Sequence, residues 1–394
     1  MAIVVQILLT VGASISLLLA GLSLLKRQKR QADYVLSFMH VQVFLMVILF
    51  AYNRDLNADY PWLTMIIYVL GFMALPTFYL YVRSTIQPLN VRSIGVWIHF
   101  VPAIIAGAFV LTFVPQLDPQ IKRNLIDTWV PHQSPFWYQY IYFGIYFGIF
   151  PAYLTMALLH LRKHQKSIAG IFSYEDDVNL MWLSRFIWGM IIVWVAFLVF
   201  EVFGDYYNIL APDGVYYGFL SVVALVLYQG IYGLRQKIIF TDSTMEEAPE
   251  QKPLPKHVPE PNPIESTDQG KYAHSGLSED QVTHYLDRLK TFMSDEKPYL
   301  EARITISQLS KRCGIPVNTL SQVINERLNQ NFFDFINSYR VEEFKRLAAE
   351  RDIQQFTLLS LAHEAGFNSK STLNAIFKKY TWQTPSEFTL NGFL

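Results

Sequence analysis

Cysteine is nearly absent. Cys313 is the single one in 394 residues, so no disulfide can close within the chain and no cysteine-rich metal site can form. Placed directly before Gly314, it reads as a small buried residue in a reducing compartment. Charge is scarce as well: Asp, Glu, Lys and Arg make up 16% of the chain against 52% hydrophobic residues, too apolar for an ordinary soluble domain, and the charges crowd toward the C-terminus. The formal net charge is zero, so electrostatics has to be read region by region. Signatures of catalysis are missing too. There is no His-Glu-x-x-His, no nucleophile elbow, no glycine-rich phosphate loop and no kinase signature. These absences predict a chain that is not an enzyme, with no catalytic residue, no metal and no cofactor.

Long apolar runs are what the sequence has in quantity. A bilayer core takes roughly 20 apolar residues per helix. Seven stretches approach or exceed that length, approximately Ile3 to Leu25, Tyr34 to Tyr52, Trp62 to Val82, Val96 to Val114, Phe136 to Leu161, Met181 to Phe203 and Val215 to Leu234. The first has no basic flank before it and no small-residue cleavage site after it, so it reads as an anchor. Lys26, Arg27, Lys29 and Arg30 follow it at once. Arg83, Arg92, Arg162, Lys163, Lys166, Arg235 and Lys237 fall in the alternate connections that would share its side, whereas the opposite connections hold only Arg54, Lys122 and Arg123. The bias predicts a multi-pass protein with its N-terminus outside and its C-terminal part in the cytoplasm.

Ionisable residues at membrane depth are functional suspects. Here they are His40, His99, His160, Arg185 and Glu201. The two near the cytoplasmic ends, His160 and Arg185, have a simpler reading as snorkelling side chains, and His40 and His99 as residues that bond across helices. Glu201, Asp205 and Tyr206 lie near the outer ends of the sixth and seventh stretches and are the candidate contacts for a small-molecule or envelope signal.

From Thr241 to Gln269 the chain holds Pro253, Pro255, Pro259, Pro261 and Pro263 among acidic and polar residues, a composition that reads as an extended linker. Beyond it, Ser278 with Gln281 forms a capping box, and Val282, Leu286, Leu289 and Phe292 recur at helical spacing to about Asp295. Thr305 and Gln308 open another helix, Gly314 closes it, and Pro316 starts a next one carrying Leu320, Val323 and Ile324. That is helix, tight turn, helix, the geometry that presents a second helix to the major groove. An amphipathic helix from about Phe332 to Ala349 leads to a second copy, in which Leu361, Ala362 and Ala365 precede Gly366 and Phe367, and Asn368 is suited to cap the helix from Ser369 to Lys379. The two glycines, 314 and 366, stand 52 positions apart, and a repeated fold unit is the economical explanation.

The second copy carries Ala362, Gly366-Phe367, Ser371, Phe377-Lys378-Lys379 and Pro385-Ser386-Glu387-Phe388 in order, with Tyr339-Arg340-Val341 upstream. In these residues, over about Thr305 to Phe388, the chain resembles the AraC/XylS family of bacterial transcription regulators, and its apolar half resembles in architecture the sensor region of a membrane-anchored subset of them. Two positions depart from the pattern: Trp382 stands where the family has glycine, and Leu373 replaces an aromatic. Asn329 occupies a glycine turn of the first unit, and asparagine tolerates the left-handed backbone a turn needs.

The resemblance and the patterning together imply an all-α protein: a seven-helix transmembrane bundle over 1–238, a linker over 239–275, and a soluble double helix-turn-helix domain over 276–394. Within that domain the first unit spans about 305–328, the joining helix about 332–349 and the second unit about 357–379. Asn and Gln can pair with adenine edges and Ser or Thr with several bases. That makes Asn318, Thr319, Ser321, Gln322 and Asn325 the DNA-binding candidates of the first unit, and Ser369, Lys370, Ser371, Thr372 and Asn374 those of the second. Lys378, Lys379, Arg327 and Arg340 are expected to meet phosphates or support the fold.

From Arg303 onward basic residues outnumber acidic ones by only 11 to 8, so binding is expected to need a homodimer on double-stranded promoter or operator DNA. The expectation is therefore a regulator in the bacterial inner membrane, with lipid, DNA and an unidentified signal as partners. The rival reading is a membrane enzyme or transporter whose helix-turn-helix tail docks proteins.

Overall fold

The computed structural model describes residues 2–52, 60–113, 137–174, 178–207, 214–236, 278–351 and 356–391. The stretch read as a proline-rich linker lies outside them. The named elements are helices, and a single isolated antiparallel bridge, Phe172 to Thr305, is recorded among the described residues. The chain divides into two compact units, one of residues 1–164 and 180–237, the other of residues 165–179 and 238–394.

The first unit contains α1 (Ala2–Leu24), α2 (Gln31–Ala51), α3 (Pro61–Ile86), the short α4 (Ile94–Trp97), α5 (Val101–Phe113), α6 (Trp137–Ile168, whose last turn belongs to the second unit), α7 (Met181–Tyr207) and α8 (Gly214–Arg235). Each apolar stretch of the sequence thus holds a helix. Four segments, Ile3–Leu24, Gln31–Ala51, Val69–Ile86 and Gly218–Arg235, are long and apolar enough to cross a bilayer among the described residues, and Ile94–Ala108 and Met181–Ala196 are shorter apolar segments. Many apolar side chains on these helices face outward, Ile3, Ile94, Ile104, Leu111 and Ile192 among them. That pattern is unfavourable in water and natural in hydrocarbon.

Some polar groups inside this unit find partners, while both polar atoms of the buried Gln42 side chain have none among the described residues. Asp33, almost wholly buried, meets Lys26 at 2.6 Å and Arg30 at 3.6 Å. The same two cations reach the C-terminal carbonyls of α8, Lys26 at Gly233 and Arg30 at Gln236, where the negative end of a helix dipole favours positive charge. The His40 ring bonds to the Leu36 carbonyl of its own helix at 2.8 Å, and the His40 backbone carbonyl accepts across helices from the Ser16 hydroxyl of α1 at 2.9 Å. His99 does bond across helices, to the Tyr153 hydroxyl at 3.1 Å.

The second unit begins with α9 (Glu279–Asp295), capped by the Ser278–Gln281 box. It continues through α10 (Ile306–Cys313), α11 (Val317–Gln322), α12 (Phe332–Glu350), α13 (Leu358–Glu364), α14 (Lys370–Thr381) and α15 (Pro385–Asn391). Two cores form, and α12 belongs to both. Phe332, Phe335 and Ile336 pack with Leu309, Leu320 and Ile324, while Phe333, Phe344 and Leu347 pack with Leu361, Phe367 and Phe377. Leu373, the substitute for an aromatic, is fully buried in the second core. Tyr380 hydroxyl donates to the Asp334 carbonyl at 2.9 Å, and burial together with Asp334 pushes that phenol up to about 12. Cys313 is buried beneath the first turn and burial pushes its thiol up, so it stays protonated and inert, in line with the sequence reading.

Backbone geometry explains the glycine positions. Gly314 ends α10 at φ 64°, and Gly366 has φ 89°. A Cβ on Gly366 would stand 2.3 Å from the Tyr299 carbonyl oxygen, so no other residue fits there. Trp382 ends α14 in the same left-handed region at φ 62° with its ring exposed, where the family places glycine. We expect Gly366→Ala to destabilise the second unit by about 2–4 kcal/mol, and Trp382→Gly to stabilise it by about 1 kcal/mol through relief of left-handed strain. Amide exchange of α14 in the full chain measures both shifts.

Candidate nucleic-acid interface

Each helix-turn-helix unit is built by local chemistry. In the first, the Thr305 hydroxyl accepts from Gln308 N at 3.3 Å while the Gln308 side chain accepts from Thr305 N at 2.8 Å. The left-handed Gly314 then reverses the chain, and Ser310 donates to the Ile315 carbonyl at 2.5 Å to hold the turn. In the second, Thr357 caps α13 and Ser369 caps α14, accepting from Thr372 N at 3.2 Å. Ser369 therefore takes the capping role assigned from sequence to Asn368, whose amide instead donates to the Ala302 carbonyl at 3.2 Å. The run Pro385-Ser386-Glu387-Phe388 acquires a physical reason. Thr384 and Glu387 bond reciprocally at the start of α15, and Phe388 lies edge-on to Phe377 with ring centroids 5.4 Å apart.

Of the first unit's candidates, Asn318 is exposed and Thr319, Ser321 and Gln322 are half-buried on α11. Asn325 and Arg327 are not on an α-helix: residues Val323–Arg327 form a π-turn, whose wider spacing rotates the side chains after Gln322 away from the direction an α-helix would give them. Asn325 donates to Ser321 at 3.2 Å, Gln322 to Glu326 at 3.1 Å, and Arg327 pairs with Glu279.

In the second unit Lys370, Ser371, Asn374 and Lys378 are exposed on α14, and Thr372 is half-buried against Ser369. Lys379 is exposed too but pairs with Asp334 at 2.5 Å. Of the two roles expected for Arg340, its place in the structure fits the second. It is 1% exposed, so it supports the fold and cannot touch a phosphate. Its Nε donates to the Tyr299 carbonyl at 2.8 Å. Its two terminal nitrogens donate to Ser173, Asn337 and Glu301 oxygens at 2.8–3.2 Å, and burial pulls the guanidinium down to about 9.

A second candidate site lies in the first unit, where a cavity of about 250 Å³ is lined by Met39, Phe78, Phe150, Trp194, Phe219 and Gln229, among others. The Phe150 and Trp194 rings stack at 5.4 Å. Apolar walls with one amide suit a small hydrophobic molecule. The sequence pointed elsewhere, to Glu201, Asp205 and Tyr206, whose side chains lie outside the described residues.

Residues 309–391 match a family model described as a helix-turn-helix domain, of the AraC type. The chain is similar to uncharacterised HTH-type transcriptional regulators of Staphylococcus aureus strains COL and MSSA476, at 27% identity over 112 residues in each. The matched region is 28% of this chain and spans about 14% of those relatives' length. No solved structure matches. These similarities support DNA-binding transcription regulation, and the family match falls within the second unit. We expect Asn374→Ala to lose about 1–3 kcal/mol of affinity for a preferred duplex and to relax one base position, whereas Lys378→Ala should weaken all duplexes alike and lower the salt slope by about one. Anisotropy titrations of the full chain across a salt series separate the two.

Proposed function

We propose that this chain is a membrane-anchored, one-component transcription regulator whose double helix-turn-helix head reads promoter DNA under control of its apolar helices. The observation that carries this reading is the mounting of two helix-turn-helix units on one shared helix, α12, in a chain whose other unit exposes apolar helices. Seven crossings, an outside N-terminus and a cytoplasmic head follow from the apolar stretches and from the basic residues of alternate connections. Base reading is assigned to Asn318, Thr319, Ser321 and Gln322 on α11 and to Ser371 and Asn374 on α14, with Lys370 and Lys378 on phosphates.

The mild excess of 11 basic over 8 acidic residues supports action as a homodimer, since doubling the phosphate contacts raises affinity and steepens its salt dependence. Signal sensing is assigned to the bundle. A ligand shifts the equilibrium only through unequal affinity for two arrangements of the helices. The aromatic cavity is the first place for a small apolar signal, and Glu201, Asp205 and Tyr206 are the second.

The full chain, reconstituted in phospholipid vesicles and offered a random-sequence duplex pool, should resist alkaline extraction and enrich discrete sequences, with paired sites bound more tightly than single ones. Vesicle-bound protein that enriches no sequence would shift the head to the protein-docking reading. Full release from the vesicles at alkaline pH would remove the anchor.

A further inference from the structure

Residues 165–179, the last turn of α6 and most of its connection to α7, are part of the second unit. Their contacts there are specific. The Ile171 carbonyl accepts from Ile306 N at 3.0 Å, and the Ala169 carbonyl from Phe333 N at 2.9 Å. Ile306 and Phe333 lie in the first turns of α10 and α12, where N–H groups have no acceptor within the helix. One short peptide therefore completes the N-terminus of a helix in the first reading unit and that of the helix shared by both.

Ser173 N donates to the Ile304 carbonyl at 3.3 Å, and Phe172 bridges to Thr305. Wholly buried, Ser173 accepts from Arg340 through its carbonyl at 2.9 Å and its hydroxyl at 3.2 Å. Arg340 also holds the Tyr299 and Glu301 carbonyls that lead into α10. Gly366, the turn of the second reading unit, packs on the Tyr299–Leu300 backbone. The peptide thus sits at the joint where both reading units and α12 meet.

We propose that Ala169–Ser173 is the control peptide of the head, a docked segment through which α6 and α7 set the mutual orientation of the two helix-turn-helix units. This inference rests on the membrane-anchored reading above. α6 ends at Ile168, one residue before the docked peptide, so a shift of that helix reaches Arg340 with little loss.

The test needs no knowledge of the natural signal. Bilayer thickness acts mechanically on spanning helices. The full chain is placed in vesicles of short-, medium- and long-chain phosphatidylcholine, and its Kd is measured for a duplex that the wild-type chain has selected from a random pool. The wild type should change its Kd by about tenfold across the series, within the usual range of coupling between sites. A variant with glycine-serine insertions after His164 and after Tyr174 keeps every docked residue and should bind with a Kd independent of thickness, while Ile306 and Phe333 amides stay protected from exchange. Ser173→Ala, which removes only the hydroxyl from Arg340, should narrow the swing to about threefold and keeps the test decisive if the insertion variant unfolds. A wild-type Kd indifferent to thickness, an insertion variant that tracks the wild type, or a Ser173→Ala swing equal to the wild type's would each overturn the proposal. Selection of no duplex by the wild type would instead overturn the DNA-reading assignment beneath it.

Discussion

A single buried guanidinium organises the second unit. Arg340 has five N–H donors and all five are used, on the carbonyls of Tyr299, Glu301 and Ser173, the hydroxyl of Ser173 and the side-chain oxygen of Asn337. No carboxylate is among its partners. A charge taken out of water costs several kcal/mol unless its hydrogen bonds are complete, so the backbone that supplies these oxygens is held to one arrangement. The planar fork of arginine fits such a ring of acceptors, and the point charge of lysine does not.

The rest of the head is arranged about that point. α12 carries Arg340 and contributes apolar side chains to both cores, so the two reading units share one scaffold. The close approach of Gly366 to the Tyr299 backbone brings the second turn to the same place. Packing of this kind fixes α11 and α14 relative to the joint. The apolar unit is built on the opposite solvent logic. Its buried Asp33 is paired internally with Lys26 and Arg30, while many of its outward-facing side chains are Leu, Ile and Val.

Much of this was legible in the residue order because it follows from local rules. Capping boxes at Ser278 and Thr305, left-handed glycines at 314 and 366, and the 3.6-residue period of α9 and α12 are short-range signals, and those elements lie where the pattern placed them. Errors arose where neighbours in space compete. Asn368 and Ser369 are equally good caps by type, and the Ala302 carbonyl decides between them by engaging the asparagine. The π-turn after Gln322 leaves the apolar pattern of Leu320, Val323 and Ile324 intact, so periodicity gave no sign of it.

By itself, then, the sequence determined an apolar half and a more polar half of the chain, the helical content of each, and a repeated helix-turn-helix with its turns, because hydropathy, capping and glycine conformation are properties of neighbouring residues. Tertiary structure alone decided that Arg340 is buried, that Lys379 and Arg327 are paired with acids, and that Ala169–Ser173 belongs with the head. Those facts depend on which backbone oxygens lie opposite a side chain across the fold. Ile171 and Phe172 are apolar residues in that connection, a local trace of the last of them.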